Sequence, residues 1–214
     1  MTTGMIPFGG DSGRLAEIAA GMKASEPTGK RKPTKRYESD PRNFMDEEEV
    51  QDCARYAATM ANVHPKWRFY EQVFLLAVGP GLRASEITSL RICDVRLELP
   101  NPYVWVERGK GKVSASTPIP WAWAVARMGV FLKWRQDEYG ASEPCDTWYQ
   151  RPYAGGPSAP GAIWDQFKAC LAPLPFDRQK ELHPHSGRHT AATSLLNAGH
   201  TLPTVSKFLR HASL

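Results

Sequence analysis

Cysteine is sparse and scattered. Cys53, Cys93, Cys145 and Cys170 make no C-x-x-C pair and no short even framework. This excludes a disulfide scaffold and points to a reducing, intracellular compartment. Long apolar runs are missing as well: none exceeds the 6 residues of Val73 to Val78, against the ~20 that a membrane helix needs. The opening Met1-Thr2-Thr3-Gly4 has no basic stretch leading into an apolar one, so no secretory signal is expected. The expectation is a soluble, cytoplasmic protein with no membrane role, and a small-molecule substrate has no signature. With 42% apolar and 23% charged residues, the chain is neither disordered overall nor collagen-like. Lys+Arg 27 against Asp+Glu 22 leaves a net charge of +5, which suits a polyanionic partner without requiring one.

Residues 1–41 stand apart, rich in Gly, Pro, Ser, Thr and charge, and they hold Lys30-Arg31-Lys32-Pro33-Thr34-Lys35-Arg36. Such a run cannot bury apolar surface, so a flexible tail is expected. It reads as a solvated linker or as an arm contacting phosphates. Leu15, Ile18, Ala19 and Met22 share one helical face within it. Globular character is expected over 42–214. Asp46-Glu47-Glu48-Glu49 suits a helix start, and Val50, Cys53, Ala57 and Met60 recur at helical spacing. A second helix carries Phe69, Val73 and Leu76 and breaks at Gly79-Pro80-Gly81; a short one opens near Ser85. The β-branched and aromatic run Tyr103–Glu107 predicts a strand, followed by a Gly109-Lys110-Gly111-Lys112 turn and a return strand ending at Pro118-Ile119-Pro120. Helices are predicted over 121–138, 161–172, 188–198 and 201–210, with a long loop over 140–160. The fold class is therefore mainly α with a small antiparallel sheet.

Three clusters carry chemistry. Arg83 stands at a helix break with Glu86 three residues on, a spacing that alone signifies only a helix-surface pair. Lys110 and Lys112 lie in a glycine-flanked turn that is not a nucleotide loop, because Val106 stands where that loop's first glycine belongs and Val113 follows Lys112. The third cluster is His183-Pro184-His185-Ser186-Gly187-Arg188-His189-Thr190, followed by His200 and His211. Imidazoles this close can share a metal ion, but no completing carboxylate lies near and Arg188 repels a cation. The alternative is anion binding, with His185 and Arg188 at a helix start whose own N–H groups favour phosphate.

In order and approximate spacing, Gly81-Leu82-Arg83-x-Ser85-Glu86, Gly109-Lys110-Gly111-Lys112, His185-x-x-Arg188-His189-Thr190 and Leu209-Arg210-His211-Ala212-Ser213 resemble the tyrosine recombinase (phage integrase) catalytic domain over 42–214. The resemblance implies that fold, a double-stranded DNA partner, action as a tetramer on two duplexes, and no metal or other cofactor. It implies DNA strand breakage and rejoining through a 3′-phosphotyrosine. Arg83 and Arg188 match the arginines that clamp the non-bridging oxygens, Lys110 the lysine that protonates the leaving 5′ oxygen, and His185 the histidine that assists proton transfer. His211 matches a phosphate-binding position, and Glu86 matches a buttressing carboxylate. Lys112 and the basic residues Lys30, Arg31, Lys32, Lys35 and Arg36 are candidate DNA contacts.

Two departures from the pattern matter. The nucleophilic tyrosine is expected about nine positions after His211, past Leu214, and no tyrosine follows His185. The expectation is a catalytic domain incomplete at its C-terminus, unable by itself to cleave. The helical domain that usually precedes the catalytic one is also unmatched. Two other readings stand beside the recombinase: a non-catalytic DNA-binding relative that regulates an active partner, and a histidine-based metallohydrolase.

Overall fold

In the computed structural model, residues 43–98, 100–107, 114–140, 146–149 and 160–210 are described. The basic tail, Lys110, Lys112, Cys145 and His211 lie outside them.

Asp46 caps the first helix. Its side chain accepts from Glu49 N at 2.8 Å while Glu49 Oε2 accepts from Asp46 N at 3.1 Å, so two otherwise unpaired donors are met reciprocally. Helix α1 runs Glu47–Val63 and α2 Pro65–Val78, the latter opening on a proline whose missing N–H costs nothing there. From Val73 to Val78 α2 is buried on every side, the mark of a central helix. After it come α3 (Ala84–Ser89), a 3₁₀ turn (Ile92–Asp94), and the strands β1 (Val95–Arg96), β2 (Tyr103–Val106) and β3 (Ala115–Pro118). The sheet is antiparallel in the order β1-β2-β3, with Val104 paired to Val95 on one side and Thr117 on the other. Val104 and Val106 face the core while Tyr103 and Trp105 face outward, the alternation of a half-buried strand. The remaining helices are α4 (Ala122–Tyr139), α5 (Pro160–Cys170), α6 (Phe176–Glu181), α7 (Pro184–Asn197) and α8 (Leu202–Phe208). This is the mainly helical fold with a small antiparallel sheet that the sequence predicts.

The core forms around α2. Phe74 stacks on Phe167 of α5 at 5.7 Å, and Phe69 meets Phe131 of α4 edge-on at 5.5 Å. A smaller cluster of Ala191, Val205, Phe208 and Leu209 joins α7 to α8. The cysteines Cys53, Cys93 and Cys170 are free thiols.

Several elements differ from the sequence expectation. The helix expected from 188 begins at Pro184, because Pro184 suits the first helical position and Ser186 Oγ accepts from His183 N at 3.2 Å. The helix expected to reach 210 stops at Phe208. Helix α6 was not foreseen, being short and mostly charged. Within the stretch expected as loop, residues 146–149 dock back on the fold: Trp148 N donates to Leu90 O at 2.7 Å and Ile92 N to Asp146 O at 2.9 Å. Trp148 and Tyr149 are among the largest fully buried side chains. Their apolar area offsets the entropy of ordering a chain rich in glycine and proline.

Candidate functional site: a buried guanidinium cluster

The site assembles at the turn after α2. Gly81 takes φ 64°, and a Cβ there would come within 3.1 Å of Leu209 Cδ2 and 3.2 Å of Ala191 Cβ. Glycine thus serves both the left-handed backbone and the close approach of α7 and the end of α8. The turn folds back on α2, Leu82 N donating to Leu76 O at 3.0 Å. It delivers Arg83 to the start of α3 with its side chain partly exposed.

Glu86 reaches back to that start. Its Oε2 accepts from Arg83 N and its Oε1 from Arg83 Nη1, both at 2.8 Å. The pair three apart in sequence is therefore an oriented, mostly buried ion pair. A second cation joins it: Arg210 Nη2 donates to Glu86 Oε2 at 2.7 Å. Burial alone would raise the Glu86 carboxyl, but the charge of Arg210 and the bonds and charge of Arg83 outweigh it and hold it below the ordinary glutamate range.

Arg188 comes from the second turn of α7. Gly187 beside it leaves room for α7 to press on α2; a Cβ would sit 3.0 Å from Ala77 Cβ. Arg188 is buried, its Nη1 donating to Gly81 O at 2.6 Å and its Nη2 to Leu209 O. The guanidinium cross-braces the Gly81 turn and the end of α8. Burial, then the like charges of Arg83 and Arg210, push its pKa down to about 9, with Glu86 opposing. A cation this strained by its neighbours gains from an incoming anion.

His185 lies on the exposed side of α7, in a stack of rings. Trp164 of α5 stacks on His183 at 5.4 Å, His183 lies parallel to His185 at 6.3 Å, and His189 meets His185 edge-on at 4.7 Å. All three imidazoles are pushed below the ordinary histidine value, by burial first and then by neighbouring charge. For His185 those charges are His189, Arg188, His183 and Arg83. Each is a poor holder of a second proton until an anion arrives.

The structure thus brings together Arg83, Glu86, His185 and Arg188 from α3 and α7. Lys110 and Lys112, between the paired residues Val106 and Ala115 in sequence, lie outside the described residues, as do His211 and the basic tail. Sequence reasoning missed Arg210, whose quoted motif held it without a role. Tyr149 is in the core, its hydroxyl donating to Phe69 O. Among the described residues no three His, Cys, Asp or Glu side chains converge as a metal site. No helix there is long and apolar enough to cross a membrane.

Residues 43–214 match the Phage integrase family. Curated relatives include the tyrosine recombinase XerA of Pyrococcus furiosus, 28% identical over 158 residues (72% of this chain, 51% of that protein). Another is the tyrosine recombinase XerC of Bacillus licheniformis, 33% identical over 153 residues (66% and 44%). The chain spans about half the length of the curated relatives it matches. Among solved structures, XerA recombinase superposes with a TM-score of 0.62 at 22% identity, covering 79% of this chain and 56% of that one. XerH recombinase bound to palindromic difH substrate gives 0.61 at 20% identity, covering 79% and 46%. The chain belongs to the phage integrase family, and its fold is that of the tyrosine recombinase catalytic domain.

Proposed function

We propose that this chain binds double-stranded DNA and acts in site-specific recombination, its guanidinium cluster receiving one backbone phosphate. The observation that carries this reading is the buried excess of cation. Arg83 and Arg210 bond the carboxylate of Glu86, and the guanidinium of Arg188 lies close enough to feel the charge of all three, so three cations share one carboxylate. The nature of the partner follows from charge and from company: XerH, of like fold, is a site-specific recombinase bound to its palindromic difH substrate.

In this reading a phosphodiester enters beside Arg83 and Arg188. Strand breakage gives the phosphorus five oxygens and more negative charge, and guanidinium donors already in place stabilise that state without reorganising. Arg83 offers its fork from the edge of the cluster. His185, a poor proton holder before the anion arrives, handles the proton beside the phosphate. Lys110 protonates the leaving 5′ oxygen and His211 hydrogen-bonds the phosphate. The nucleophile is a tyrosine that the family pattern puts about nine positions beyond His211, outside residues 1–214. The protein works as a homo-oligomer on DNA, without a cofactor. Lys112 and the basic residues 30–36 add phosphate contacts from outside the pocket.

Duplex binding by the 214-residue chain, followed by fluorescence anisotropy across salt concentrations, tests the reading. Affinity falls with salt, and neutralising Lys30, Arg31, Lys32, Lys35 and Arg36 flattens the log–log slope by about 0.9 per lost contact. A suicide duplex incubated with a form extended past Leu214 then yields a covalent protein–DNA adduct. Failure to bind any duplex at low salt refutes the DNA role; binding without an adduct from the extended form leaves a DNA-binding relative instead of an enzyme.

A further inference from the structure

Among the described residues, Arg210 is the one non-glycine with φ in the left-handed region, at 56°. A Cβ crowds the backbone there, and helix ends needing this turn ordinarily use glycine. A long cationic side chain in that place is explained only by what it touches. It is 3% exposed, and its Nη2 meets Glu86 Oε2 at 2.7 Å across 124 residues of sequence. Its Nη1 donates to Thr117 Oγ1 in the middle of β3. Its Nε is buried without an acceptor among the described residues.

We propose that Arg210 is a positioning residue for Arg83. A free carboxylate pairs with an arginine through both oxygens, fork to fork. Here Oε2 of Glu86 is already taken by Arg210 and by the Arg83 amide, so only Oε1 meets the Arg83 side chain, through Nη1. Among the described residues Nε and Nη2 of Arg83 meet no acceptor, which leaves them for a phosphate oxygen. Removing Arg210 leaves Oε2 held by the Arg83 amide alone, with a lone pair free, so Glu86 can turn both oxygens to the Arg83 fork that the ligand needs. The same guanidinium fixes two neighbouring segments. Thr117 lies on β3, and residue 210 follows the end of α8. This inference rests on the phosphate-binding reading and names a part of its machinery that composition and motif spacing leave unassigned.

The test compares the wild-type chain with Arg210→Gly, Arg210→Lys, Glu86→Gln and the double variant Glu86→Gln/Arg210→Gly. Two readouts are taken: anisotropy of a fluorescein-labelled duplex, and ¹³C NMR titration of the Glu86 carboxyl. Arg210→Gly removes the guanidinium and the backbone strain together; it weakens duplex binding about tenfold and moves the Glu86 titration upward. Arg210→Lys, which keeps the charge but not the fork, does not restore wild-type affinity. In the Glu86→Gln background, loss of Arg210 has little further effect, because the two act through one contact. Equal weakening by Arg210→Gly in both backgrounds, or wild-type affinity in Arg210→Lys, would make the effect one of charge alone and overturn the proposal. An unmoved Glu86 titration overturns it as well. If Arg210→Gly does not fold, the Arg210→Lys affinity still decides. If the wild-type chain binds no duplex, the DNA reading falls, while the Glu86 titration still reports whether Arg210 holds that carboxylate.

Discussion

The guanidinium of Arg188 reaches back 107 residues to the carbonyl of Gly81, 2.6 Å away, and its other terminal nitrogen holds Leu209 O. One side chain on α7 thereby closes the Gly81 turn against the end of α8. Arg188 is thus a structural brace as well as a charge.

Replacing that brace exposes its structural share. Arg188→Ala leaves two buried carbonyls without donors, and each orphaned group costs about 1–3 kcal/mol. Urea unfolding should show a loss of about 2–4 kcal/mol, with the native spectrum retained in water. Arg188→Lys, a point charge without a fork, should recover only part of it. Unchanged stability in Arg188→Ala would show that the two carbonyl contacts are of no consequence to the fold.

Gly81 is the other half of the contact. Gly81→Ala puts a methyl 3.1 Å from Leu209 Cδ2 at φ 64°, so steric crowding adds to a left-handed backbone cost of about 1–2 kcal/mol. The melting temperature should fall by several degrees and duplex affinity with it, since the Arg188 anchor moves. A variant that melts with the wild type would show the turn to be more tolerant than its contacts imply.

His183, His185 and His189 predict an acid-sensitive fold. Their folded pKa values lie below the ordinary histidine value, pushed down by burial first. The unfolded chain therefore takes up protons before the folded one as pH falls through about 6.5. Stability is complete above that point and is lost as pH drops through the folded values. Melting temperature should fall between pH 7.5 and 5.5 and level off above. Sulfate at fixed ionic strength should shrink the loss, because a bound anion lets the imidazoles and Arg188 keep their charge. A melting temperature that rises on acidification would refute the assignment of these imidazoles as proton-poor.

The features read correctly from sequence are those set by local chemistry. A helix does start at the acidic run Asp46–Glu49, the Gly79-Pro80-Gly81 break ends α2, and Arg83 does pair with Glu86. The β-branched and aromatic Tyr103–Glu107 run predicts a strand, and one forms over Tyr103–Val106. What was not legible depends on contacts far apart in the chain. Nothing at position 210 announces a left-handed φ or a carboxylate 124 residues upstream. Trp148 and Tyr149 sit in a stretch whose glycines and prolines signal a loop, and only the approach of Leu90 and Phe69 turns them into core. The carbonyl bonds of Arg188 were likewise invisible, because a motif arginine reads as a ligand contact until the backbone around it is known.

Just ahead of α1, Met45 N donates to Thr190 Oγ1 at 2.9 Å, inside α7, and Arg178 of α6 holds Phe44 O and Glu49. The entrance to the fold is therefore moored to the helix that carries Arg188. Arg36 stands 9 residues before Met45 in the sequence, and a chain spans at most about 3.5 Å per residue. That leash keeps the Arg36 backbone within about 32 Å of Met45, so any nucleic acid that Arg36 grips lies in the neighbourhood of that same helix.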